Sequence, residues 1–184
     1  MEVRNALGML EIVSIPKGIE AGDAMLKAAD VLLIEANPVC AGKYIVVVTG
    51  EVSAVRASVE AGAEICGMKL IDQLIIPNID PQVPKAINMC NDFETVRAVG
   101  SVEMLSLCAT IIAADAAVKA ADVTLLEVRL ARGLGGKGFF TLTGETADVE
   151  AAVRAAGELE ELKGLMSESV VIPQIHPDIV RALV

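Results

Sequence analysis

The sequence predicts an α+β chain made of two tandem copies of one β-α-β-β-α-β unit, each an antiparallel sheet with helices packed on it. Three observations carry this. The chain repeats itself at a constant offset of 92: ALGMLEIVSIPKGIEAGDAMLKAADVLLIE, residues 6 to 35, returns as AVGSVEMLSLCATIIAADAAVKAADVTLLE, residues 98 to 127. Within each copy, β-branched runs alternate with Ala-rich stretches of helical period. Between the copies, DPQVPKAINMCNDFETVR, residues 80 to 97, holds turn formers and no sustained period. The expected organisation is a first domain 1–80, a linker 81–97 and a second domain 98–184.

The elements follow in order. Leu7 to Val13 reads as a strand, and Gly18 to Ala29 as an Ala-rich helix with Asp23 and Lys27 at i,i+4, as Asp115 and Lys119 are in the second copy. Val31 to Glu35 and Tyr44 to Thr49 read as two further strands. A second helix begins near Glu51 and sets Val52, Val55, Val59 and Cys66 along one face, before a last strand at Leu74 to Ile76. After a two-residue insertion GKYIVVVTGEVSAV returns as GKGFFTLTGETADV, and after two more IIPNIDP returns as VIPQIHP. This order is the split β-α-β, or ferredoxin-like, plan. The loop after the second strand lies in ANPVCAGKYIVVV, residues 36 to 48, and contains Cys40; its counterpart is VRLARGLGGKG, residues 128 to 138.

Composition narrows the function. The chain has 184 residues, 54% of them hydrophobic, which is ample for a core. Its 15 Lys+Arg against 25 Asp+Glu give a net charge of −10, and one Tyr, three Phe and no Trp leave little base-stacking surface, so nucleic acid is not an expected partner. MEVRNALGML lacks the basic stretch and apolar run of a signal peptide, and no apolar run approaches the roughly 20 residues of a membrane span, so the expected location is cytoplasmic with no membrane partner. An apolar fraction dominated by Ala and Val points to apolar surface between subunits.

Four cysteines, at 40, 66, 90 and 108, show no C-x-x-C spacing and read as reduced thiols that do not form one local metal site. Cys66 falls on a buried helix face and Cys108 in an apolar run, so both read as core, whereas Cys90 reads as an exposed linker residue. GLGGKG, residues 133 to 138, lacks the phosphate-loop spacing and joins two strands, so it reads as a flexible loop. His176 sits in a Pro-flanked turn, and Glu11 and Glu103 recur because the chain is duplicated. No Ser/His/Asp set emerges, and the expectation is a protein without enzymatic activity.

In order along the chain, ALGMLE, EAGDAMLKAADV, the G-K loop, TGEVSAV with its Ala-rich helix, and the IIP ending resemble motifs of bacterial microcompartment shell proteins. The second copy repeats them, so the chain is similar to the tandem-domain (BMC-T) members. SIPKGIEAGDAMLKAADVLLIE followed by a Cys in the next loop is most similar to the propanediol-utilisation type. The resemblance implies that the two BMC domains mimic two subunits of a hexamer, giving a pseudohexameric homotrimer that tiles with other shell proteins. It implies that the loops after the second strands surround the central axis. The pore loop would then comprise Asn37, Pro38, Val39, Ala41, Gly42 and Lys43 from one copy, with Arg132, Gly133, Leu134, Gly135, Gly136 and Lys137 from the other.

Under the same resemblance, threefold symmetry brings three Cys40 thiols together to bind a [4Fe–4S] cluster shared by three chains, its fourth iron left to another ligand. The implied use is electron or cluster transfer across the shell, with encapsulated redox enzymes as further partners. Pro38 would stiffen the approach, Gly42 would permit close packing, and nearby N–H groups or Lys43 would favour the thiolate. Lys27 and Lys119 match a lysine at the family's tile edge. The family's P-R-P-H ending appears as PNID, residues 77 to 80, and PQIH, residues 173 to 176, without its Arg. Two alternatives stay open: a tile whose Cys40 only lines a metabolite pore, and a soluble trimeric ligand-binding or sensor protein of the same plan.

Overall fold

A strand covered on both faces needs apolar residues almost throughout, and ALGMLEI, Ala6–Ile12, is buried at all seven positions as β1. The computed structural model describes residues 5–93 and 95–183. After β1 come α1 (Ile15–Ala28), β2 (Val31–Val39), β3 (Lys43–Gly50), α2 (Val52–Cys66) and β4 (Leu70–Pro77). A short α3 (Gln82–Ile87) follows. The second repeat supplies β5 (Ala98–Met104), α4 (Leu107–Ala120), β6 (Val123–Leu130), β7 (Gly138–Gly144), α5 (Thr146–Glu158) and β8 (Met166–Ile172), before α6 (Pro177–Leu183). The sheets run β2-β3-β1-β4 and β6-β7-β5-β8, with every pairing antiparallel, so the predicted plan is the observed one.

Residues that recur at the offset of 92 have local reasons to do so. Ser14 caps α1 by accepting the Lys17 N–H at 3.4 Å, and Ser106 caps α4 by accepting the Ala109 N–H at 3.4 Å. Gly8 and Gly100 lie where a helix presses on the sheet: a Cβ at Gly8 would stand 2.6 Å from Val59 Cγ2, and one at Gly100 2.8 Å from Val153 Cγ2. Leu10, Ile12, Val46 and Val48 form the first core beneath Met25, Val55 and Val59. Register shifts between Leu33 and Glu35, and again between Leu125 and Glu127, mark a bulge in each second strand.

Two compact units result. One comprises the chain up to Pro84 together with Ala131–Gly136; the other comprises Lys85–Leu130 and the chain from Lys137. The loop after β6 therefore belongs to the first unit, although its flanking strands belong to the second.

Local expectations change in several places: β4 opens at Leu70 rather than Leu74, α1 opens at Ile15 rather than Gly18, and α6 lies outside the expected order. The second strand was expected to stop at Glu35, but β2 continues through Asn37 and Pro38 to Val39 because its ladder with β3 persists, pairing Asn37 with Ile45 and Pro38 with Tyr44. A proline is tolerated there because β2 is an edge strand with no second partner. The segment between the repeats carries α3, whose Val83 and Ala86 are fully buried; six residues are too few to display a period. Cys66 and Cys108 are buried as expected, and Cys90 is exposed. His176 is largely exposed at the start of α6, its Nδ1 accepting the Asp178 N–H at 3.2 Å.

Candidate functional site

With β2 extended, the connection to β3 shrinks to a single turn, Cys40–Gly42. Ala41 (φ 62°) and Gly42 (φ 71°) both take the left-handed conformation that reverses the chain in so few residues. Within the single chain a Cβ on Gly42 would meet nothing within 4 Å, so here this glycine answers to its dihedral. Cys40 stands at the head of the turn, partly exposed.

The loop after β6 is pinned beside it in three consecutive steps. Cys40 N–H donates to Ala131 O at 3.0 Å. The Arg132 guanidinium then binds the carboxylate of Glu35, which is 6% exposed on β2 and also accepts the Asn37 Nδ2–H at 3.2 Å. Finally Gly133 N–H donates to Cys40 Sγ at 2.9 Å. Positive φ at Gly133 (78°), Gly135 (64°) and Gly136 (94°) turns successive N–H groups in this glycine run.

The result is a sulfur that accepts a backbone N–H from the neighbouring loop. The Gly135 N–H does most to hold the Cys40 thiol below the ordinary thiol range; partial desolvation opposes it, and the Leu134, Gly133 and Gly136 N–H groups add to it. Cys66 shows the opposite case. Burial pushes its thiol up, against the pull of the Lys17 charge. The donors at Cys40 are thus backbone groups from the second repeat's loop. Lys43 is otherwise engaged: it opens β3 and donates from Nζ to Glu11 Oε1 at 2.7 Å. Lys137 does the same in the second repeat, reaching Glu103 Oε1 at 2.7 Å.

Of the residues predicted to surround an axis, the structure gathers all from Asn37 to Lys43 with Arg132–Gly136 in one unit, and leaves Lys137 in the other. Asn37, Pro38 and Val39 are in β2, and Lys43 in β3. Glu35 was missed, as were the lysine partners of Glu11 and Glu103. The recurrence of both the Glu and the Lys in each repeat was their visible signal. Lys27 and Lys119 lie in the last turns of α1 and α4, bonded to Asp23 at 2.6 Å and Asp115 at 2.5 Å. Among the described residues no group of three or more His, Cys, Asp or Glu could hold a metal ion, so within one chain Cys40 brings a single sulfur. Among them, too, no helix is long and apolar enough to cross a membrane.

Comparison with known proteins gives a consistent answer. The BMC domain is matched twice, at residues 6–79 and 98–175. The chain is 44% identical over 179 residues to the bacterial microcompartment shell protein PduT of Citrobacter freundii, covering 97% of each. Its fold superposes on the crystal structure of a microcompartment protein from Desulfitobacterium hafniense with a TM-score of 0.93 and 45% identity, over 97% of this chain and 99% of that one. A fused permuted hexameric shell protein from the RMM microcompartment is more distant, with a TM-score of 0.59 and 26% identity over 85% and 84% of the two chains.

Proposed function

Since the chain belongs to the BMC-domain family, we propose that it is a homotrimeric tile of a bacterial microcompartment shell whose three Cys40 thiolates hold a [4Fe–4S] cluster on the tile's axis. The arithmetic of the trimer is simple. Two domains per chain need three chains to imitate a six-membered ring, and a closed threefold ring places three copies of any one residue around its axis. Apolar side chains left exposed on the single chain, among them Ile19, Met68 and Leu105, are what subunit and tile interfaces would cover.

The observation that carries the cluster reading is the environment of Cys40. A partly exposed sulfur that accepts the Gly133 N–H and is held below the ordinary thiol range favours the thiolate, which is the ligand form. One such thiolate per chain becomes a set of three in the trimer, which matches the sulfur ligation of iron–sulfur clusters at all but one iron. Bound there, the cluster would supply one-electron redox chemistry in the shell wall, or would itself be the cargo passed across it. The protein's own part is to present the sulfur, keep it charged and hold its loop still through Arg132 and Glu35.

Anaerobic reconstitution tests this. Wild-type protein should become brown and retain about four irons and four sulfides per three chains. Cys40→Ser should stay colourless, while Cys90→Ser should behave as wild type. A wild type that remains iron-free removes the cluster and leaves a tile whose Cys40 lines a metabolite pore.

A further inference from the structure

We propose that the glycine-rich loop of the second repeat, Gly133 to Gly136, is a dedicated cradle for the first repeat's Cys40 sulfur, and that its Gly133 N–H sets how readily the bound cluster takes up an electron. The second clause rests on the cluster reading above; the first stands without it.

The two loops divide the work. At the offset of 92, Arg132 stands where Cys40 stands in the first repeat, and the two-residue insertion that follows lengthens that loop into GLGGKG. One loop thus carries the sulfur, and the other the N–H that reaches it. The donor loop is fixed upstream of its glycines by the Cys40 N–H to Ala131 O bond of 3.0 Å and by the ion pair of Arg132 with the buried Glu35 carboxylate. Its next N–H, from Gly133, is the one 2.9 Å from Sγ.

Within a single chain, space is not what demands glycine here. A Cβ at Gly133 or Gly135 would meet nothing within 4 Å, whereas both residues have φ values, 78° and 64°, that most side chains disfavour. What the glycines supply is therefore a backbone direction. Turned onto Sγ at 2.9 Å, the Gly133 N–H is the kind of backbone donor that binds anions and the sulfurs of iron–sulfur sites. Donors to a ligating sulfur stabilise the more negative, reduced state, so they raise the midpoint potential.

Gly133→Val and Gly133→Asn separate the cradle from mere loop composition, since the Gly133 N–H is the donor 2.9 Å from Sγ and its φ is 78°. Asn enters the left-handed region readily and Val does not. In reductive titration of the reconstituted trimer, a chemical reductant gives up one electron per cluster and is itself oxidised. Gly133→Val should show a lower midpoint potential than wild type, and Gly133→Asn a midpoint close to it. Loss of iron from an intact Gly133→Val trimer, with iron kept by Gly133→Asn, would support the cradle as well; an unchanged midpoint in Gly133→Val would overturn the tuning role.

A second measurement needs no metal. Amide hydrogen exchange of the 131–137 segment in metal-free protein should be about fivefold faster in Cys40→Ala than in wild type, the effect of one lost hydrogen bond. Equal rates would overturn the cradle. If wild type takes up no iron, the cluster reading fails by itself, and this exchange comparison still decides whether the loop is held by the sulfur.

Discussion

Glu11 is 4% exposed on β1, where a carboxylate is tolerated only with a partner, and Lys43 Nζ supplies one at 2.7 Å. Lys43→Met takes away that partner and should lower stability by about 2 kcal/mol, discounted from the cost of a fully buried pair because Lys43 reaches solvent. Adding Glu11→Gln should restore much of the loss, since the charge left behind is then gone. Urea unfolding at fixed protein concentration reads both. The equivalent pair in the second repeat gives a pH dependence. Glu103 lies below the ordinary carboxylate range, first through the hydrogen bond from Lys137, then through that with Ser167, with the Lys137 charge assisting and desolvation opposing. A carboxyl whose folded value is depressed stabilises the fold above its unfolded value, about 4.3, and that contribution is lost as pH falls through the folded value. The Tm of wild type should therefore exceed that of Glu103→Gln at pH 7, and the difference should shrink steadily below about pH 4. Both glutamates and both lysines were legible as repeated letters. Their pairing was not, because it depends on β3 lying beside β1 with Glu11 opposite Ile45, which leaves Lys43 two residues further along β3.

At the scale of elements, period and composition identified the four strands and two principal helices of each repeat but neither α3 nor α6, and the other errors fell where chain ends and edges decide. No periodicity announces that β2 runs on through a proline, since only its place at the edge of the sheet allows it. The repeated serines and glycines were more informative than the sequence alone could reveal, being two caps and two close approaches. Ser14→Ala should cost about 1 kcal/mol and Ser14→Asp much less, since a carboxylate oxygen accepts the same N–H and suits a helix N-terminus. Gly8→Ala should cost about 1–3 kcal/mol by overpacking. The atoms in the way belong to Val55 and Val59, which are β-branched and stiff within α2, so they do not swing aside. Thermal unfolding of the single variants checks these values.

For the whole molecule, duplication made the architecture legible, because two copies at one offset exclude any reading in which the halves differ in fold. The same duplication hid the site. Cys40 and Gly133 are separated by 93 positions, and a repeat-by-repeat alignment sets each loop against its counterpart instead of placing one upon the other. The tile edge is where sequence, structure and assembly can be separated by measurement. Lys27 and Asp23 are both well exposed, 74% and 61%, so their ion pair contributes only a few tenths of a kcal/mol to the folded chain. Asp115 is 11% exposed, so Lys119 neutralises a charge that water reaches poorly. Lys27→Ala should therefore change stability by less than about 0.5 kcal/mol, whereas Lys119→Ala should cost about 1 kcal/mol. Assembly should respond differently. Lys27 and Lys119 are the edge residues that the resemblance implies, and the segments PNID and PQIH supply no Arg beside them. Electron microscopy of concentrated Lys27→Ala should show discrete trimers of normal size where wild type forms sheets, despite its nearly unchanged stability. Sheets that persist undiminished in the Lys27→Ala, Lys119→Ala double variant would remove both residues from the edge.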